Sequence, residues 1–199
     1  MRREFHVRFC EGPGVQSPRA TRLAVLFSSK QDAERFLAVL PKRFGKYGLT
    51  LHPDKTRIVP FQRPDRVDDG DDGPGTFDLL GFTHFWAVSR KGHWVVKQKT
   101  AKDRFSRALR RLREWCRWHR HDPLKTQHLT LTKKLKGHYA YYGITSNFDG
   151  IASFFYMAKR VWRTALARRS QQRMSWRKMQ KVLERFPLPV PRIVHRYGT

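Results

Sequence analysis

The sequence predicts an α+β chain in two parts: antiparallel strands with one helix, then an all-helical bundle. Three observations predict it. Up to about residue 100, short apolar runs of strand length alternate with turn-forming residues. Beyond Thr100 the apolar residues recur three and four apart, the period of a helix with one buried face. Hydrophobic residues make up 39% of the 199, and aromatics 13%, which suffices for a packed core and excludes a disordered basic tail.

Residues 1–22 show neither period, and Glu11 to Arg19 is rich in Gly and Pro, so this stretch reads as irregular or disordered. Leu23 to Phe27 has the length and character of a buried strand. Ser28 and Ser29 offer a helix cap, with Asp32 three residues after Ser29. Ala33, Phe36, Leu37, Leu40 and Phe44 follow at helical spacing, Pro41 predicts a kink, and Gly45 and Gly48 end the helix. Leu49 to Leu51 and Thr56 to Phe61 read as extended around a turn at His52-Pro53-Asp54. Asp65 to Gly75 interleaves aspartates with glycines. It lacks the distal Glu of a calcium loop, so a mobile acidic linker is the reading. Thr76 to Trp86 and His93 to Lys99 read as two strands joined by a turn at Ser89 to Gly92.

Four helices follow. In the first, Phe105, Leu109, Leu112, Cys116 and His119 share a face, and Arg104, Arg107, Arg110, Arg111, Arg113, Arg117 and Arg120 fall mostly off it. The second spans Leu129 to Tyr142, the third about Ile151 to Arg169, and the fourth runs from near Ser175 to Pro187. The prolines of Pro187 to Arg192 make the tail extended.

Charge is the strongest functional signal. Lys and Arg number 42 against 16 Asp and Glu, a formal charge of +26. Residues 1–72 carry 14 basic and 10 acidic residues, and residues 73–199 carry 28 and 6. So many like charges repel unless a polyanion neutralises them, and nucleic acid gains counterion release on doing so. The phosphate-contact candidates are Arg110, Arg111, Arg113, Lys133, Lys134, Lys136, Arg163, Arg168 and Arg169. His138 and Tyr142, among the aromatics His138, Tyr139, Tyr141 and Tyr142, are candidates to stack on bases, although that spacing also serves packing. Cys116, His119 and His121 lie close together, but no second Cys/His pair completes a tetrahedral zinc site, so no metal or other cofactor is expected. Trp115, Cys116, Trp118 and His119 read instead as helix core and edge. Two cysteines make no disulfide framework and fit a cytoplasmic location. With no apolar run of about 18 residues, no membrane-spanning helix is expected.

The order of elements then becomes specific. Strand, helix, Gly48-Leu-Thr-Leu-His-Pro-Asp-Lys-Thr-Arg-Ile-Val-Pro-Phe61, Phe77-Asp-Leu-Leu-Gly-Phe-Thr-His-Phe85, a hairpin and a basic helical region together resemble group II intron reverse transcriptases/maturases. Leu135 to Ile144 and Ser175 to His195 are similar to the C-terminal thumb/maturase part of that family, so the resemblance covers roughly Leu23 to His195. It implies a partial polymerase palm over residues 23–100 and a helical, RNA-binding thumb over 101–199. Leu80, Gly81 and Phe82 would belong to the region that grips the primer. Lys55 would be the lysine near the polymerase site, although a solvated turn lysine is the simpler reading. The implied partner is intron RNA or an RNA/DNA duplex.

The same resemblance exposes a gap. Nucleotidyl transfer uses two metal ions held by carboxylates, and an intact family member would need Mg²⁺. The family's Tyr-Ala-Asp-Asp turn precedes the strand matching Leu23 to Phe27, where this chain has Thr21 and Arg22. The earlier palm strand that supplies a third carboxylate would lie before the first residue. The expectation is therefore an RNA-binding fragment without polymerase activity by itself. Three other readings stay open: a subunit completed in trans by a separate N-terminal polymerase half, a generic basic RNA-binding protein, and a decayed product without a role. On that last reading residues up to about Arg22 are an out-of-frame remnant, since Arg-Tyr-Ala codons shifted by one nucleotide encode Ala-Thr-Arg.

Overall fold

The computed structural model describes residues 5–10, 23–51, 56–64, 75–170 and 173–196. The chain is α+β, as expected, and divides into two compact units, Met1–Lys97 and Gln98–Thr199. The acidic stretch from Asp65 lies almost wholly outside the described residues, as do Lys55, Thr21 and Arg22.

The first unit corrects the reading of the N-terminus. Phe5–Cys10 forms a strand, β1, and it is the central strand of a three-stranded sheet with β2 (Leu23–Phe27) and β3 (Arg57–Phe61). Both pairings are antiparallel, with Val7 opposite Leu26 on one side and Val59 on the other. The alternation in Phe5–Cys10 is too short to stand out beside the Gly/Pro-rich stretch that follows, and pairing on both edges supplies what local pattern lacks. Pro60 is tolerated because β3 is an edge strand and a missing N–H leaves no ladder bond unmade on its outer side.

β2 is not the buried strand its apolar run suggests. Leu26 is 61% exposed, because successive side chains point to opposite faces and only one face is covered. The cover is α1 (Lys30–Gly45), whose Phe36 ring lies 5.2 Å from that of Phe27, with Ala33 and Leu40 buried. Ser29 occupies the N-cap position without its side chain bonding the first turn, and Pro41 sits within the helix. Leu49 to Leu51 forms no strand.

The expected strand Thr76 to Trp86 is two strands. β4 (Phe77–Leu79) turns at Leu80 and Gly81 into β5 (Phe82–Val88), pairing antiparallel with Leu79 opposite Phe82. Leu80 has φ 50° and Gly81 φ 84°, the left-handed pair that a two-residue hairpin requires. β6 (Trp94–Thr100) returns beside β5 after the expected turn, where Gly92 donates to the Ser89 carbonyl at 3.0 Å. Phe61, Phe77 and Trp86 form a small aromatic core, with Phe61 edge-on to Phe77 at 4.8 Å and stacked on Trp86 at 5.4 Å.

The second unit holds α2 (Lys102–Trp118), α3 (Leu124–Tyr142), α4 (Phe148–Ser170) and α5 (Trp176–Arg185). α3 starts five residues before its expected boundary; Pro123 is its N-cap residue, and no apolar period marks that first turn. α5 begins as expected, with Ser175 accepting a bond from the Lys178 amide at 3.3 Å. Leu109, Leu112, Leu131, Leu135, Ile151 and Trp162 are at the centre of one core drawn from all four helices.

Two polar knots lock this unit. The buried Asn147 accepts from the Thr100 amide at 2.8 Å and donates from Nδ2 to the Thr100 hydroxyl and the Tyr142 carbonyl. A side chain at Gly150 would collide with Asn147, so glycine is required there. The buried Gln127 accepts from the Trp162 indole at 2.9 Å and donates to the carbonyls of Arg120 and Asp122. Both satisfy buried polar groups that would otherwise cost about 1–3 kcal/mol each.

Candidate nucleic-acid interface

α2 and α4 pack against each other, and a groove of about 410 Å³ runs between them. Cys116, Val161 and Ala165 contribute apolar lining, and Arg113, Arg117, Arg120, Arg160 and Arg168 supply five guanidinium groups beside one carboxylate, Glu114. The helical period puts them there. On α2, Arg113 and Arg117 are one turn apart, and Arg120 stands in the turn just past the helix end; on α4, Arg160 and Arg168 lie two turns apart. Among the described residues none of these five arginines forms an ion pair, whereas Asp103 engages Arg104 and Arg107, and Asp122 engages His119. The second unit contains 25 basic and 5 acidic residues, so few carboxylates exist to neutralise the groove.

Of the residues expected to meet phosphate, Arg113 and Arg168 line this groove. Arg110 is exposed three residues before Arg113, on the same side of α2, while Arg111 is exposed elsewhere on that helix. Lys133, Lys134 and Lys136 are exposed on α3 and do not line it; the Lys134 ammonium sits 5.4 Å from the Trp115 ring. Arg163 and Arg169 have structural engagements. Arg163 donates to the Met174 carbonyl at 3.2 Å and lies over the Trp176 ring at 4.5 Å; Arg169 donates to the Asp122 carbonyl at 2.9 Å. Arg117, Arg120 and Arg160 were legible as basic residues in the helical region, but only the packing of α2 on α4 singles them out.

His138 is not a base-stacking residue here. Its ring lies on that of Phe154 at 3.7 Å and 15°, and its Nε2 is buried without a hydrogen-bond partner among the described residues. Burial holds its pKa down to about 4, so the ring is neutral at physiological pH. Tyr142 is half-buried and tilted against His138 at 4.6 Å. Tyr139 is buried, and its hydroxyl donates to the Pro189 carbonyl at 3.1 Å. Spacing alone could not separate packing from display, because helix orientation decides it.

Nor do Cys116, His119 and His121 converge as ligands. Cys116 is in the core, where burial pushes its thiol up to about 12; His119 pairs with Asp122 at 2.9 Å, and His121 accepts from Arg120 Nε. Trp118, expected at the edge of the helix core, is 80% exposed. Leu80 is 58% exposed at the hairpin tip with Gly81 buried beside it, so this pair makes a turn and not a continuous core strand.

The tail after α5 is held along α3. His128 Nε2 donates to the Pro187 carbonyl at 2.8 Å, His195 Nε2 donates to the Ala140 carbonyl at 2.7 Å, and the Val194 and His195 amides both donate to the Gly143 carbonyl. A side chain at Gly143 would collide with the Tyr139 and Arg192 carbonyls. The segments Leu135 to Ile144 and Ser175 to His195 therefore form one module. Among the described residues no helix is long and apolar enough to cross a membrane. Comparison with family models, with curated proteins and with solved structures finds no match to this chain.

Proposed function

We propose that this chain binds RNA through the α2/α4 groove, as a fragment of the group II intron reverse transcriptase/maturase type that extends no primer by itself. The observation that carries the binding is the groove: five guanidiniums with no ion-pair partner among the described residues, around a cavity with a single carboxylate. Guanidinium is a planar fork that meets two phosphate oxygens at once and keeps its charge at any working pH. Bringing five such groups together without anionic partners costs repulsion, which a phosphate backbone removes while releasing its own counterions. The family part of the reading rests on the motif order and is supported by the mutual packing of the two C-terminal segments that carry the likeness. The absence of polymerase chemistry rests on Thr21 and Arg22 standing where the metal-holding aspartates of the family belong.

The test is binding against salt, with group II intron RNA, unrelated RNA and duplex DNA of equal length. If each groove arginine meets one phosphate of a single strand, log K falls against log salt with a slope of about −3.5 from this groove alone. The triple change Arg117→Gln, Arg160→Gln, Arg168→Gln shallows that slope by about 2. Preference for intron RNA supports the maturase reading; equal affinity for all three reduces it to a generic basic binder. No binding to any of them at moderate salt sinks the proposal.

A further inference from the structure

Along α4, cations pair with aromatic rings, and one of these cations, Arg160, also lines the groove. Lys159 Nζ lies 4.6 Å from the Phe155 ring, the Arg160 guanidinium 5.8 Å from the Tyr156 ring, and the Arg163 guanidinium 4.5 Å from the Trp176 ring. The first two pairs are i, i+4 neighbours; the third joins α4 to the first residue of α5. Phe155 is partly buried, while Tyr156 is 51% and Trp176 43% exposed. Residues 156 to 163 span about 10 Å along the helix axis. A solvated helix face gains little from displaying large rings to water, and a cation over a ring at such a site is worth only about 0.5–1 kcal/mol.

Arg160 connects this row to the groove, since it lines the groove and also covers Tyr156. Accepting the groove as the phosphate-binding surface, we infer that the rings beside it select unpaired nucleotides: a single-stranded stretch of RNA runs its backbone along the groove and stacks bases on Tyr156 and Trp176. Rings outside a basic groove reach the faces of bases only where those bases are unpaired, and stacking of this kind tolerates any base. An acidic peptide would satisfy the arginines and leave the rings without a role.

The experiment compares the full chain on single-stranded oligoadenylate and on duplex RNA of equal length, each titrated over a salt series. Tyr156→Ala and Trp176→Ala each weaken single-strand binding about tenfold, leave duplex binding unchanged, and leave the salt slope unchanged because no phosphate contact is lost. Tyr156→Phe retains wild-type affinity, and because Tyr156 is a surface residue its variants report without perturbing the core. Wild-type affinity in Tyr156→Ala, a parallel loss on duplex RNA, or competition by polyglutamate equal to that by RNA overturns the inference and leaves the groove reading standing. If the wild-type chain binds neither form of RNA, the groove reading itself falls.

Discussion

At the scale of single residues, His138 is the most informative side chain. Its sequence context, between Lys136 and three tyrosines, marks it as a candidate for contact with bases. The fold places it against Phe154 and holds its pKa down to about 4, against about 6.5 in an unfolded chain. The unfolded chain therefore binds the proton first as pH falls. Stability from this group is fully present above pH 6.5 and drains away between about 6.5 and 4, by up to about 3 kcal/mol. Thermal melts over that window should show the loss, and His138→Phe, which keeps an aromatic ring on Phe154, should flatten it. An unchanged pH dependence in His138→Phe would place the titrating group elsewhere. The contrast between His138 and Arg160 shows what was legible at this scale. Residue type announced a charge or a ring; burial decided which of them stays open to solvent.

At the scale of elements, the β4–β5 hairpin shows the strongest conflict between local preference and fold. The run Phe77 to Phe85 is apolar enough to read as one strand, yet the chain reverses at Leu80-Gly81. Leu80 takes the left-handed conformation that L-residues other than Asn, Asp and Gly avoid, at a cost of about 1–2 kcal/mol. Asn at this position of such a turn is much better tolerated. Leu80→Asn should raise the urea midpoint of the chain by the equivalent of about 0.5–1 kcal/mol; an unchanged or lowered midpoint would mean that the Leu80 side chain itself stabilises the turn. The helices were far more legible than the strands. Their amphipathic period covers three to six turns and survives errors at the ends, whereas strands of three to seven residues offer too few positions to fix a register. β1 is the clearest case, because its place in the sheet comes from two partners distant in sequence.

At the scale of the whole molecule, the division after Lys97 puts most of the excess charge, 25 basic against 5 acidic residues, into a unit with its own core. That core and both polar knots lie within residues 98–196, and the tail closes on α3 through backbone bonds. The expectation is that residues 98–199, produced alone, unfold cooperatively and bind RNA with the salt slope of the full chain. Calorimetry and the same salt titration check both statements. A non-cooperative melt would show that the first unit is needed for folding. A cooperative melt with a markedly shallower slope would move part of the phosphate-binding surface into the first unit.

The sequence by itself determined the α+β class, the helical period of the second half and the basic excess. These are properties of composition and short spacing, which a linear reading captures. Tertiary structure alone decided which arginines stand together, that His138 turns inward while Tyr156 and Trp176 stay exposed, and that Phe5–Cys10 joins a sheet. The basic charge was visible from the start, but a groove exists only where two helices, the first ending at Trp118 and the second starting at Phe148, pack side by side.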